Sequence, residues 1–513
     1  MIAHNFGGEM ARYKHTDVED GQGIFLSVNL KEQLLPGTFE YMINELVGSK
    51  IEVSIFDENY KNDKTGSKAI PPASLIKLII YGYSKGKKSS RGLEELASSN
   101  IIAKALTNGI QPHWTTIANF ISGNSEKFQN IFIKVLTYCS ELGLIGGKTF
   151  AIDGLRLPSN ASKYLTGTEE ELEKRLKIYR KMAEKHISKH QKKDKLGEVD
   201  EKTEQNYKAR QKKLNQEIDK ISSFLSNMEK KESKRGKESR SNVTDNESAL
   251  IHSPSGYVQG YIGIAVSDKE NQVIVKAEAV GSSGEGKHLP EILDKTLNSL
   301  NEAAVKMSKR EKLTLLADAN YFSEDNLKAC HERRIEVLMP DINYRKRLGG
   351  KSKMRYEAID FKYNKKGNYY KCPNGKILKY KGKESLYRGH DGKSYTANVK
   401  DCRKCPLIAK CLKTKKEFDK IQTGRRLLIS KSNEPGSLSN ELIEKMSTEE
   451  YQNKYANRIQ IIEPVFANIS YCKGLNRFTL RGKAKVNGQW QLYCIMHNLG
   501  KCLKGYNSKY KYA

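Results

Sequence analysis

Two short apolar runs, far apart in the chain, each end on an aspartate: Phe150-Ala-Ile-Asp153 and Leu313-Thr-Leu-Leu-Ala-Asp318. Runs of this length read as buried strands. A carboxylate at the end of a buried strand is costly unless it is paired or faces a cation. Two of them therefore limit how the chain can be arranged. Between them, Tyr257 to Val266 and Gln272 to Val280 are β-rich runs joined by a polar turn, which predict a hairpin. Leu289 to Val305 reads as a helix. Ser323 with Asp325 opens another helix to Arg333, and Ile335 to Met339 reads as a strand. Tyr451 to Ser470 predicts a late helix. Its apolar stripe is Ile459, Ile462, Phe466 and Ile469, with Glu463 at its edge and Pro464 implying a kink.

The rest of the chain divides by composition. Residues 33–145 read as short helices joined by tight turns, with Pro71-Pro72 and Ser74 as a helix start, Lys85 to Gly92 as a basic turn and a helix opening on Thr115. This is compatible with a helix-turn-helix type of DNA reader or with an ordinary helical subdomain. From 171 to 240, basic residues outnumber acidic ones 22 to 13 and there is no proline. Leu214, Ile218, Ile221, Leu225 and Met228 form a heptad seam, with Leu172, Leu176, Tyr179 and Ala183 as a weaker one. Residues 166–240 thus predict an antiparallel helical hairpin that leaves and rejoins the α/β domain at nearly one point, a solvated charged linker being the alternative. Residues 343–450 are basic and hold the cysteine cluster, so they read as a second insertion. The expected boundaries are an arm at 1–32, a helical domain at 33–145, the α/β domain at 146–505 and a tail at 506–513.

Lys and Arg exceed Asp and Glu by 90 to 60, a formal net charge of +30. Such an excess points to a polyanionic partner, nucleic acid first, since release of counterions drives that binding. No apolar run approaches the roughly 20 residues of a membrane span. The first ten residues have no apolar segment of a secretion signal, Met10 being a second candidate start, so the expected location is cytoplasmic, on the nucleoid. Of nine cysteines, Cys402, Cys405 and Cys411 are clustered as C-x2-C-x5-C, with Cys372 upstream and His390 in reserve. Thiolates on tight turns suit a closed zinc site; free thiols in a small β module are the alternative.

Strand, hairpin, helix, strand, helix, strand and late helix is the order of an RNase H-like fold. In that order, carboxylates on the first strand, after the fourth and on the late helix would converge, and Asp153, Asp318 and Glu463 hold those places. The sequence resembles a DDE transposase of a bacterial insertion sequence. Pro71 to Leu96 is similar to that family's N-terminal domain. Phe150-Ala-Ile-Asp-Gly154 and Leu316-Ala-Asp-Ala-Asn-Tyr-Phe322 are similar to its first two acidic motifs. Tyr455 to Phe466, with Arg477 to Gly482 and His497 to Leu499, is similar to its C-terminal signature. Where that family carries a basic residue two turns after the glutamate, this chain has Ser470, with Lys473 one turn further on.

The resemblance implies an RNase H-like mixed sheet flanked by helices, with an all-α N-terminal domain, the helical hairpin and a small Cys-bearing β-rich insertion. It implies phosphodiester hydrolysis and strand transfer at element ends through Mg²⁺ or Mn²⁺ on Asp153, Asp318 and Glu463. Structural Zn²⁺ would sit on Cys372, Cys402, Cys405 and Cys411. Arg458, Lys473, Arg477 and Arg481 would contact DNA. The partners would be double-stranded DNA, as terminal inverted repeats and target, and a second copy of the chain. The alternative is a non-catalytic DNA-binding descendant of such an enzyme.

Overall fold

The structure is a computed structural model. It describes residues 27–60, 68–196, 200–228, 231–232, 236, 238–253, 256–307, 312–348, 356–386, 390–412, 420–430 and 434–510. Met10 and the first residues lie outside the described ones.

Among the described residues, six α-helices precede the sheet: α1 (Phe39–Leu46), α2 (Pro72–Ser84), α3 (Ser90–Ser99), α4 (Ile101–Leu106), α5 (Trp114–Gly123) and α6 (Phe128–Glu141). Their starts are chemically marked. Proline opens α2, and side chains of Thr38, Ser89, Asn100 and His113 cap α1, α3, α4 and α5. The expected start at Thr115 falls one residue inside α5, because His113 Nδ1 takes the capping role.

The central sheet is mixed. Strand β1 (Thr149–Pro158) is followed, beyond a two-residue ladder of β2 (Thr166–Gly167) with β3 (Ser241–Asn242), by the antiparallel β4 (Ala249–Ser253), β5 (Gly256–Asp268) and β6 (Ile274–Val280). Helix α9 (Leu289–Glu302) leads to β7 (Thr314–Leu316), and α10 (Glu324–Glu332) leads to β8 (Glu336–Leu338). The order is β4-β5-β1-β7-β8, with β6 also paired to β5; β1, β7 and β8 run parallel. The register corrects one expectation. The strand does not stop at Asp153 but continues to Pro158, because β5 pairs with it all along from Asp268 to Gly260. On the other side, β7 pairs only Thr149 to Ala151. Asp153 therefore sits just where the parallel neighbour ends and one edge of β1 opens.

Between β2 and β3 the chain forms α7 (Glu169–Lys195) and α8 (Glu201–Ser226), which pack on each other. A capping box of Thr168 and Glu171 starts α7. Leu165, Leu176 and Ile221, with Tyr179, Ile218, Leu225 and Val243 around them, form a small core of their own. The second insertion begins with α11 (Tyr344–Leu348). It holds a five-stranded antiparallel sheet of β9 (Lys362–Asn364), β10 (Tyr369–Lys371), β11 (Ile377–Leu386), β12 (His390–Ala397) and β13 (Arg426–Ser430), with short helices α12 (Val399–Arg403) and α13 (Ile408–Cys411). Its core is likewise separate and contains Phe361, Tyr370, Leu378, Tyr395, Leu427 and Ile429.

Helices α14 (Leu438–Lys445), α15 (Glu449–Ala467) and α16 (Lys483–Tyr510) close the fold. The last covers the edge strand β6 with side chains that mimic a neighbouring strand. Asn498 bonds both the N–H and the C=O of Ile274, and Asn487 accepts from Ala279 N–H. Trp490 Nε1–H donates to Ile264 O under a ring that lies directly on Gly263, where a Cβ would come within 2.9 Å of it. These contacts satisfy backbone groups that an edge would otherwise leave open. The six N-terminal helices, the sheet and α16 share one continuous hydrophobic core. No described helix is long and apolar enough to cross a membrane.

Candidate metal centre

Three carboxylates converge at the open edge of β1: Asp153, Asp318 and Glu285 each place an oxygen within 4.8 Å of the other two. Asp153 projects from mid-strand, with Oδ1 accepting from Gly154 N–H. Asp318 follows β7 and caps a single turn, Oδ1 accepting from Asn320 N–H at 2.9 Å and Oδ2 from Asn320 Nδ2 at 2.8 Å. Glu285 lies in the loop between β6 and α9. That loop presses against the Asp318 turn so closely that a Cβ on Gly286 would come 2.3 Å from Asn320 O. Only glycine fits there, and its absence of a side chain lets Glu285 reach the cluster.

The charges are balanced by two arginines. Arg458 on α15, 13% exposed, donates from Nη1 to Asp153 Oδ2 at 2.9 Å. Arg156 donates from Nη2 to Glu285 Oε1 at 3.3 Å, and Asn320 Nδ2 meets the same oxygen at 3.1 Å. The balance is incomplete. Burial, then Asp153 and Glu285, push the Asp318 carboxyl up to about 6, against Asn320 N–H and Arg458. Glu285 is 1% exposed and its Oε2 has no hydrogen-bond partner. A buried carboxyl oxygen without a partner, in a group of oxygen donors only, fits a hard divalent cation.

Glu463 is not brought into this cluster. It is exposed on α15, five residues beyond Arg458, which turns it roughly 140° around the helix axis from the residue that reaches Asp153. Ile461, Ile462 and Val465 take the buried face. Pro464 lies inside the helix, and a π-turn (Asn468–Cys472) follows it. Glu285 escaped the reading of the sequence. Its only local mark is a single acid between Gly284 and Gly286, just after an apolar strand.

Cys372, Cys402, Cys405 and Cys411 line one small cavity of about 30 Å³. Lys376 N–H donates to Cys372 Sγ at 3.2 Å and Arg425 N–H to Cys402 Sγ at 3.3 Å. Burial pushes the Cys411 thiol up to about 11. Among the described residues, Asp153, Glu285 and Asp318 are the only group of three or more ligand-type side chains within 4.8 Å. The sulfurs are thus more widely spaced than the acids. The side chain of His390 lies outside the described residues.

Of the expected DNA contacts, Arg458 serves as the counter-ion of Asp153. Lys473 is half-buried, and burial pushes its amine down. Arg477 Nε donates to Ser159 O and Arg481 Nε to Asn160 O, so both exposed arginines clamp the exit of β1.

Residues 371–503 match a family model described as Transposase DDE domain, and residues 28–123 match one described as Transposase domain (DUF772). The two matches support a DDE transposase of an insertion element. No curated protein and no solved structure matches the chain. Transposase domains indicate a role in transposition, with DNA as substrate. The DDE match includes Glu463 and all four clustered cysteines, while the converging acids precede it in the chain.

Proposed function

We propose that the chain cuts DNA at the ends of an insertion element and joins them to a target, using two divalent cations, Mg²⁺ or Mn²⁺, on Asp153, Asp318 and Glu285. The partnerless buried Oε2 of Glu285, beside two aspartates, carries this reading. A DNA-binding protein without catalysis gains nothing from three converging acids, one of them driven toward its neutral form. The strand order, with β1, β7 and β8 parallel and β5 and β6 antiparallel, supports an RNase H-like sheet.

When bound, the cations would polarise the phosphoryl oxygen, lower the pKa of the attacking water and stabilise the leaving oxygen. The chain's own residues do the rest. The three carboxylates would hold the ions, and Asn320 fixes the orientation of Asp318 and Glu285. Arg458 neutralises Asp153, a part that an ion bound there would take over. Its guanidinium would then be free to engage a phosphate by two hydrogen bonds. The N-terminal helices would read DNA, Lys473, Arg477 and Arg481 would add phosphate contacts, and two copies would pair the element's ends. The cysteine module would hold one Zn²⁺ as a structural ion.

Glu463 is the competing third acid, favoured by its place inside the DDE match. The test is cleavage of a duplex carrying the element's ends with Mg²⁺ or Mn²⁺. Asp318→Asn should abolish cutting and spare DNA binding; full activity in that variant would sink the reading.

A further inference from the structure

At the root of the helical hairpin lies a cavity of about 580 Å³ that the metal centre does not use. Its walls combine two kinds of side chain. Lys163, Lys174, Arg175 and Arg240 supply four cations. Glu171, which also caps α7, pairs with Arg240 at 2.9 Å and Glu170 with Lys174 at 2.6 Å. Arg175 Nη1 is buried there without a hydrogen-bond partner. Tyr164 stands beside them 82% exposed, and Ile178 on α7 is 56% exposed. The backbone under the tyrosine is held firm, since Leu165 is buried in the core of the hairpin.

A surplus of cations, with one guanidinium nitrogen of Arg175 lacking a partner, asks for phosphates. An exposed aromatic ring with an apolar floor asks for a flat partner. A duplex offers the first and hides the second, because its bases are stacked inward. A single strand offers both. The place is also suitable. Arg156, which holds Glu285, donates from Nη1 to His252 O on β4. Leu250, which lines the cavity, is two residues along the same strand, about 7 Å away. The cavity thus begins within a few nucleotides of the acids.

We propose that this cavity binds a single-stranded DNA segment next to the reacting phosphate, one base stacked on Tyr164 and its phosphates on Lys163, Arg175, Lys174 and Arg240. The inference rests on the nuclease reading for the identity of its strand. It explains why a basic, exposed hairpin is inserted beside β1: α7 supplies one wall of the strand's track.

The test uses the full chain and a ten-nucleotide oligothymidylate carrying one 5-iodouracil and a fluorescein. Irradiation should place the adduct on the peptide containing Tyr164. Tyr164→Ala should weaken binding at least about fivefold, as loss of one stacked base does, and Tyr164→Phe should restore it. Lys163→Ala with Arg175→Ala should lower the slope of log affinity against log salt by about 1.4, roughly 0.7 for each phosphate on a single strand. Adducts elsewhere, with unchanged affinity in Tyr164→Ala, would overturn the proposal even if Asp318→Asn still abolishes cutting. An adduct on Tyr164 in a protein that never cuts DNA would keep this surface and overturn the nuclease reading instead.

Discussion

The acidic cluster and the cysteine cluster are built in opposite ways. Asp153, Glu285 and Asp318 come from a strand, a loop and a turn spread over 165 positions, and the central sheet brings them together. The four cysteines lie within 40 positions, in a module whose separate core has few large buried side chains. The sheet is stable for other reasons and imposes a costly juxtaposition on its acids. The module has a smaller core and would gain from an ion. In the first region the fold makes the site; in the second the ion would help make the fold.

The largest effect should fall on the acids. Glu285→Gln and Asp318→Asn should each reduce metal-dependent cleavage on the order of 10³-fold, the worth of several kcal/mol of lost charge stabilisation. Glu463→Gln should stay within about tenfold of wild type, measured on the same duplex. Loss of cleavage in Glu463→Gln alone would move the third ligand to α15 and break the contrast drawn above. Next comes zinc. Elemental analysis should give about one zinc per chain, lost in Cys402→Ser with Cys405→Ser. Hydrogen exchange should then rise in residues 356–430 and leave β1, β5 and β6 protected. Equal loss of protection in both regions would show that they do not fold independently.

A third test concerns the cover of the sheet. Burial, with Lys501, Lys473 and Lys504 nearby, pushes His497 down to about 4 against an ordinary 6.5. As pH falls, the unfolded chain takes up this proton first. The stabilisation is therefore complete above about pH 6.5 and is lost toward pH 4, on the order of 3 kcal/mol. His497→Gln, which can still bond Gln272 O, should flatten urea midpoints across that window. The smallest effect is expected from replacing residues 168–238 by a Gly-Ser linker. The hairpin core shares no residue with the main one, so Tm should move by less than about 4 °C. A chain that no longer folds would join the hairpin to the sheet's core.

What could be read from the sequence follows from the range of each interaction. Heptad spacing marked α7 and α8, and caps such as Ser323 and Pro72 marked helix starts, since these signals act over a few residues. Asp153 and Asp318 stood out because each interrupts or ends an apolar strand. Glu285 did not, because its role depends on a loop closing against Asn320 some 35 positions away, and a glutamate between glycines has no periodicity. Glu463 looked well placed on a helix edge. The edge was real, but the face that packs on β1 is set by Ile461, Ile462 and Val465 and presents Arg458 instead. The length of β1 beyond Asp153 was also hidden, since it depends on β5.

The union of α6 with α16 bears on how the chain is made. Cys139 and Cys502 lie 3.2 Å apart between sulfurs, although 363 positions separate them. At about 5–20 residues per second, a ribosome needs on the order of 20–70 s to pass from one to the other. All three acids emerge during that interval, yet β6 still lacks Asn487 and Asn498 to satisfy its outer edge. A chain halted before α16 would carry every candidate ligand on an open sheet, with an uncovered edge prone to pair with its like. Helix α16 thus separates a nascent chain that carries the three acids on an open sheet from one whose sheet edge is covered.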